Sequence, residues 1–172
     1  AENILFQNEN LLVVDKPHFL AVSPTGRYVK ETLLVRLKQQ LGNPNISPIH
    51  RLDRETAGVI LFSLQPNTRS HYHALFEQHQ EQKTYHAIAA YNPEIHFPLT
   101  YQSHMTKGDP FFVMKEAEGV ANSFTQIDLL QIDNDLALYE LKPVSGKQHQ
   151  LRMHMAALGL PILNDSFYTN VQ

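Results

Sequence analysis

The sequence predicts an α+β protein, with a mixed, largely antiparallel sheet and helices packed against its outside. Three observations carry that expectation. Six apolar runs have strand length and β-branched or aromatic content, three other segments carry apolar residues at helical spacing, and Asp133-Asn134-Asp135 reads as a hairpin turn between the last two runs. No repeat, low-complexity tract or long linker divides the 172 residues, so residues 1–172 are expected to form one domain.

The first two runs, 4–6 and 11–14, read as strands separated by a polar turn. Residues 31–41 follow as a helix, with Leu33, Leu34, Leu37 and Leu41 on one face and Gly42 as its stop. The run 58–64 is a third strand. A second helix is expected over 67–82, where Tyr72, Leu75, Phe76 and His79 form one stripe. Strands over 85–91, 123–130 and 136–141 come next, and a last helix over 148–158 faces Leu151, Met155 and Leu158 inward before Gly159 and Pro161 close it. On that helix Arg152 lies about 100° from Leu151, at the edge of the buried face. Gln148, four residues before Arg152, is expected on the same side, lining a polar pocket.

Composition excludes several function classes. With 42% hydrophobic residues the chain has enough apolar surface for a core, and without cysteine it has no disulfide framework and no cysteine-based zinc site. No apolar run approaches the roughly 20 residues that span a bilayer, and no basic-then-apolar leader opens the chain, so a cytoplasmic protein is expected. The formal net charge is −3, from 17 acidic and 14 basic residues, which disfavours nucleic acid as a partner overall. The cations nevertheless gather at Arg51, Arg54, Arg69, Lys83, Lys147 and Arg152.

The segment His50-Arg51-Leu52-Asp53-Arg54-Glu55-Thr56-Ala57-Gly58 places one carboxylate between two arginines, just before an apolar strand. A carboxylate with cations in reach stays ionised and is available as a nucleophile at neutral pH. Read alone, the same pattern also describes a surface ion pair, which contributes little. Three further segments change the balance. They are Leu11 to Pro17 with its Lys16-Pro17 turn, Lys83-Thr84-Tyr85-His86-Ala87, and Gly146-Lys147-Gln148-His149-Gln150-Leu151-Arg152-Met153-His154.

In type, order and spacing these four segments resemble the RluA-type pseudouridine synthases, over about residues 4–168. The resemblance implies the pseudouridine synthase catalytic fold and an enzyme that isomerises uridine to pseudouridine in ribosomal or transfer RNA. It implies Asp53 as the catalytic aspartate, Tyr85 as the residue that stacks on the target base, and Arg152 as the partner of the aspartate. It also implies that Arg51 enters the RNA when the target nucleotide is extruded, with Arg54, Lys83, Lys147 and Gln148 as further RNA contacts. The isomerisation involves no redox change, so no cofactor and no metal are expected, and a monomer is expected to act alone on RNA.

This chain departs from the family at several places. Ala57 stands where serine is common, Lys147-Gln148 replace arginine and threonine, and Leu160 and Asn164 replace histidine and glycine. The chain ends at Gln172, where family members continue into further sheet residues, so a C-terminally shortened fold is expected, with no separate S4-type RNA-binding domain. Two other functions compete with the synthase. An RNA-binding homologue with little turnover suits the acidic balance, though it has no need of the Asp53, Tyr85 and Arg152 set. A histidine-based metallohydrolase is suggested by ten histidines, but the five-residue spacing of His149 and His154 turns the two rings apart on a helix.

Overall fold

The computed structural model describes residues 2–25 and 30–169. Two compact units follow one another along the chain, residues 1–81 and 82–172. Each has its own sheet and its own core.

In the first unit, β1 (Asn3–Gln7), β2 (Leu11–Lys16), β3 (Ser47–Pro48) and β4 (Gly58–Ser63) form an antiparallel sheet in the order β1-β2-β4-β3. The register sets Leu12 opposite Phe62 and Val14 opposite Ile60, so alternate residues of β2 and β4 share the buried face. Helix α1 (Leu33–Leu41) starts where the Thr32 hydroxyl accepts the Val35 N–H, and ends at Gly42 with φ 61°. A left-handed end of that kind suits glycine, which explains the stop. Leu33 and Leu37 reach the core of Leu12, Val14, Ile46, Ile60 and Phe62. Helix α2 (Pro66–Glu77) is shorter than expected and turns differently. Tyr72 and Phe76 are half-buried while Leu75 is 44% exposed, and His79 lies beyond the helix at φ 51°. Arg69, Tyr72, His73 and Phe76 share the inward face at spacings of three and four, which carries Leu75 away from it.

In the second unit, β5 (Tyr85–Ala90), β6 (Leu99–Lys107), β7 (Met114–Ala117), β8 (Ser123–Asp133) and β9 (Leu136–Pro143) form an antiparallel sheet in the order β5-β9-β8-β6-β7. Asn134, at φ 55°, makes the β8–β9 turn as expected. Every ladder between named strands is antiparallel, and the α+β class is borne out. The expected sheet is two sheets, because β5 pairs with β9 of its own unit. Strands β6 and β7 escaped the sequence reading for a physical reason. The inward residues of β6 are Leu99, Tyr101, Ser103 and Met105, and the polar Ser103 breaks the apolar alternation.

Ser103 faces inward because it serves His154 on helix α3 (Gln150–Ala157). His154 is fully buried, with Nε2 3.1 Å from both Ser103 Oγ and Ser123 Oγ and Nδ1 2.8 Å from Thr125 Oγ1. Ser123 Oγ donates to Ser103 O, so it accepts from His154 Nε2, and His154 Nδ1 accepts from Thr125 Oγ1, which itself accepts from Gln150 Nε2. The network is complete with a neutral imidazole, and burial pushes the His154 pKa down from 6.5 to about 4. The sign follows from linkage. The stabilisation is full above pH about 6.5, where the unfolded histidine is also neutral. It is lost progressively towards pH 4 as the unfolded chain takes up the proton, a change of about 3 kcal/mol. In urea titrations from pH 7.5 to 4.5, His154→Gln is expected to narrow its stability deficit against wild type as pH falls. A constant deficit would place the acid sensitivity elsewhere.

No described helix is long and apolar enough to cross a membrane, and no cluster of three or more potential metal ligands occurs among the described residues.

Candidate functional site

The loop 51–57 leads into β4, and its conformation is held from below by the end of β2. Asp53 O accepts the Thr56 N–H at 3.0 Å, making a tight turn of Asp53, Arg54, Glu55 and Thr56. Two successive carbonyls of that turn are then taken by neighbours. Lys16 Nζ donates to Arg54 O at 3.1 Å and to Pro17 O at 2.9 Å, and His18 Nδ1 donates to Glu55 O at 2.7 Å. Lys16 is only 1% exposed. Burial pulls its pKa from 10.5 down to about 8, and Glu55 and Asp53 oppose part of that shift through their charges. The displacement corresponds to about 3 kcal/mol against keeping the ammonium charged. A lysine retained there at such a cost is spent on holding the Asp53 turn, the pattern expected of a site.

On the other side of the loop, His50 Nε2 accepts the Leu61 N–H at 3.1 Å, and its ring stacks on Phe76 with centroids 4.9 Å apart. Leu52 packs on the first core. Asp53 and Arg54 are half-buried, and the Arg54 guanidinium lies 5.5 Å from the centre of the exposed Phe19 ring. Arg51 is exposed, and its carbonyl oxygen lies 3.2 Å from His50 Nδ1.

Tyr85 opens β5 opposite Leu141 and packs, half-buried, against the second core. It shares a strand face with Ala87 and Ala89, whose small side chains leave room for Met155 and Leu160 in the same core. Lys83, two residues earlier, is half-buried. Helix α3 begins later than expected. His149 adopts φ 54° and Gln150 is the first helical residue, so Gln148 lies before the helix and does not share a face with Arg152. The inward amide of this segment is Gln150. Buried, its amide donates to Phe124 O and Thr125 Oγ1, while its Oε1 accepts from Ser145 Oγ and the Lys147 N–H. Lys147 itself is exposed.

Arg152, expected at the edge of the buried face, is buried, and Asp165 explains how. Its Nε and Nη2 each donate to an Asp165 carboxylate oxygen at 2.8 Å, a bidentate pair. Asp165 also accepts the Phe167 and Tyr168 N–H groups. Burial alone would raise the Asp165 pKa, but the hydrogen bonds from Arg152 and these N–H groups, with the Arg152 charge, hold it below the ordinary 3.8. The guanidinium also lies 5.0 Å from the Phe167 ring centre and 5.4 Å from that of Tyr168. Asp165 and these two rings hold the guanidinium from within the second unit.

Asp53 thus stands in the first unit, and Tyr85 and Arg152 in the second. The sequence reading missed Lys16 as a positioning residue, and His18, Gln150 and Asp165 as well. Lys16 follows Leu12 and Val14 at the two-residue period of a strand, and a lysine in phase with the buried face is the signal that could have found it. Asp165 carried no such signal.

A family model described as RNA pseudouridylate synthase matches residues 10–157, a span that includes Lys16, the 51–57 loop, Tyr85 and Arg152. The chain belongs to the RluA-type RNA pseudouridine synthase family. It is similar to tRNA pseudouridine synthase C of Vibrio cholerae, 32% identical over 178 residues, which cover 95% of this chain and 72% of that one. It is also similar to the dual-specificity RNA pseudouridine synthase RluA of Haemophilus influenzae, 31% identical over 99% of this chain and 78% of that one. Human pseudouridylate synthase RPUSD2 is 30% identical over 98% of this chain, and there the family member described here spans only 31% of the relative's length. The fold matches that of human RNA pseudouridylate synthase domain containing 1, with a TM-score of 0.83 at 23% identity, over 99% of this chain and 71% of that one.

Proposed function

We propose that this protein isomerises uridine to pseudouridine in structured ribosomal or transfer RNA, with Asp53 as the nucleophile and no cofactor. The observation that carries the reading is the buried Lys16 ammonium, which together with His18 ties down the turn bearing Asp53. A turn that served only to enter β4 would not require a charged group beneath it. In the reaction the bond from sugar C1′ to ring N1 breaks, the base turns, and C1′ rejoins the ring at C5. The C5 proton then leaves and the freed ring N1 takes up a proton, so that the product is an isomer of the substrate. Asp53 supplies the carboxylate that holds one fragment while the base turns, and Tyr85 stacks on the base and takes the proton. A phenol is a weak base at neutral pH unless a cation favours its phenolate, so the residues around Tyr85 matter to that step. Arg152 orients Asp53, and its own orientation comes from Asp165.

RNA is held by Arg51, Arg54, Lys83, Lys147 and Gln148. The whole of residues 1–172 works as one catalytic domain, as a monomer. The relatives named for transfer RNA and for dual specificity support an RNA substrate of either class. Release of tritium from RNA labelled at uracil C5 tests the activity, because C5 must lose its hydrogen in the product. RNA binding with no tritium release would favour a binding homologue instead. Mapping pseudouridines in a deletion strain against its parent then identifies the target.

Arg51 is proposed to act in extruding the nucleotide. It is exposed, and it stands two residues before Asp53. Arg51→Ala is expected to slow single-turnover isomerisation of a structured RNA by about 10-fold or more. A short unstructured RNA carrying the same uridine should be affected much less, because only the former has to be unstacked at a cost of a few kcal/mol. Equal losses on the two RNAs, with a shallower salt dependence, would make Arg51 a phosphate contact.

A further inference from the structure

We infer that Phe111, Phe112 and Phe167 form a stacking platform for an unpaired base of the RNA substrate, beside Arg152. The inference rests on the RNA-directed reading above. Phe111 is 75% exposed, Phe112 45% and Phe167 43%. Isolated exposed apolar residues are ordinary, but these rings touch in series. Phe111 meets Phe112 edge-on at 5.8 Å, and Phe112 lies 5.7 Å from Phe167. Phe167 in turn lies 5.7 Å from His149 and has the Arg152 guanidinium 5.0 Å from its centre.

The turn that carries the first two rings is anchored. Gly108 N–H donates to Val113 O at 2.8 Å and Val113 N–H to Pro110 O at 3.1 Å, closing the β6–β7 connection on itself. A side chain at Gly108 would meet Val113 at 3.3 Å, so the turn is tight. The Met114 N–H then donates to Tyr168 Oη at 2.8 Å, and Tyr168 Oη lies 2.9 Å from His149 Nδ1, where the phenol proton can go. The base of the turn is thereby joined to the segment carrying Phe167 and to the start of α3. Rings held this way keep their faces in place before any ligand arrives, which lowers the ordering cost of binding.

The chemistry around the rings selects the occupant. Lys107 and Lys115 flank the turn on β6 and β7, and Lys147 is exposed just before α3. Of the nearby acids, Asp109 belongs to the turn, Glu118 lies beyond β7, and Glu116 accepts the Tyr101 hydroxyl. The lysines and acids of the turn balance one another, so the occupant is set by the rings and by the Arg152 guanidinium over Phe167, and exposed aromatic faces of this kind match the way proteins hold single-stranded RNA by stacking its bases. Stacking of this kind tolerates any base, so the platform would secure a nucleotide that flanks the target and leave selection of uridine to the catalytic residues.

Fluorescence anisotropy with a 12-nucleotide single-stranded RNA carrying a 5′ fluorophore, on the full chain, tests the platform. Phe111→Ala and Phe112→Ala should each weaken binding by about 5- to 150-fold, the range for loss of one base stack, with exposed rings towards the lower end. The slope of affinity against salt should stay as in wild type, since no phosphate contact is lost, and Phe112→Trp should restore affinity. Thermal midpoints should barely move, because the rings are exposed. Unchanged affinity in the Phe111→Ala, Phe112→Ala double variant overturns the platform. If the same substitutions abolish self-association of wild type in sedimentation while RNA affinity is unchanged, the rings bind a second copy and the platform is likewise overturned. Ring-dependent RNA binding without tritium release supports the platform and sinks only the synthase reading. Tritium release with ring-independent binding does the reverse.

Discussion

Asp53→Asn is expected to lower tritium release from uracil-labelled RNA by at least about 10³-fold while leaving RNA affinity within a few-fold of wild type. The amide keeps the size and shape of the side chain and removes the charge that would attack. The fold should be unaffected, because the turn is held through the backbone carbonyls of Arg54 and Glu55, which Lys16 and His18 still reach. Circular dichroism and the thermal midpoint check that point, and mass spectrometry excludes deamidation back to aspartate. Substantial turnover by the intact amide would remove Asp53 from the chemistry. The same variant bears on the alternative of a binding homologue, for which it would be silent in every assay.

Replacing Arg152 should cost both stability and activity, and the two losses can be separated. Arg152→Met leaves the buried Asp165 carboxylate with only the Phe167 and Tyr168 N–H groups, which predicts a loss of about 3–5 kcal/mol in urea unfolding. Arg152→Lys keeps a charge but cannot reproduce two parallel hydrogen bonds, so it should be destabilised less. If Arg152 orients Asp53, the lysine variant should lose about 10²-fold in kcat at temperatures where it remains folded, with KM little changed. Asp165→Asn retains an acceptor for one arginine nitrogen and should lie between wild type and Arg152→Lys in both measurements. A folded Arg152→Lys protein with wild-type kcat would confine Arg152 to a structural pair with Asp165.

Much of the fold was legible in the sequence because local patterns act locally. Val14 and Ile60, or Leu33 and Leu37, repeat at the period of their element, and Gly42 and Asn134 stand where the backbone needs a left-handed turn. The family, and with it the candidate Asp53, Tyr85 and Arg152, was legible because their motifs are short and contiguous. Strand β6 was hidden, since Ser103 faces inward only to meet a histidine 51 residues away. Strand β8 was legible as a strand, but the burial of its Ser123 and Thr125 as partners of His154 was not.

The sequence by itself determined the element types, the α+β class and the family. Tertiary structure alone decided which polar groups are buried and what holds them. It gave Lys16 to the carbonyls around the Asp53 turn, made Gln150 rather than Gln148 the inward amide, paired Arg152 with Asp165, and set three phenylalanines in a row at the surface. The physical reason is common to all of these. A hydrophobic period can be read from neighbours along the chain, whereas the free energy of a buried charge or amide depends on a partner that folding brings from elsewhere.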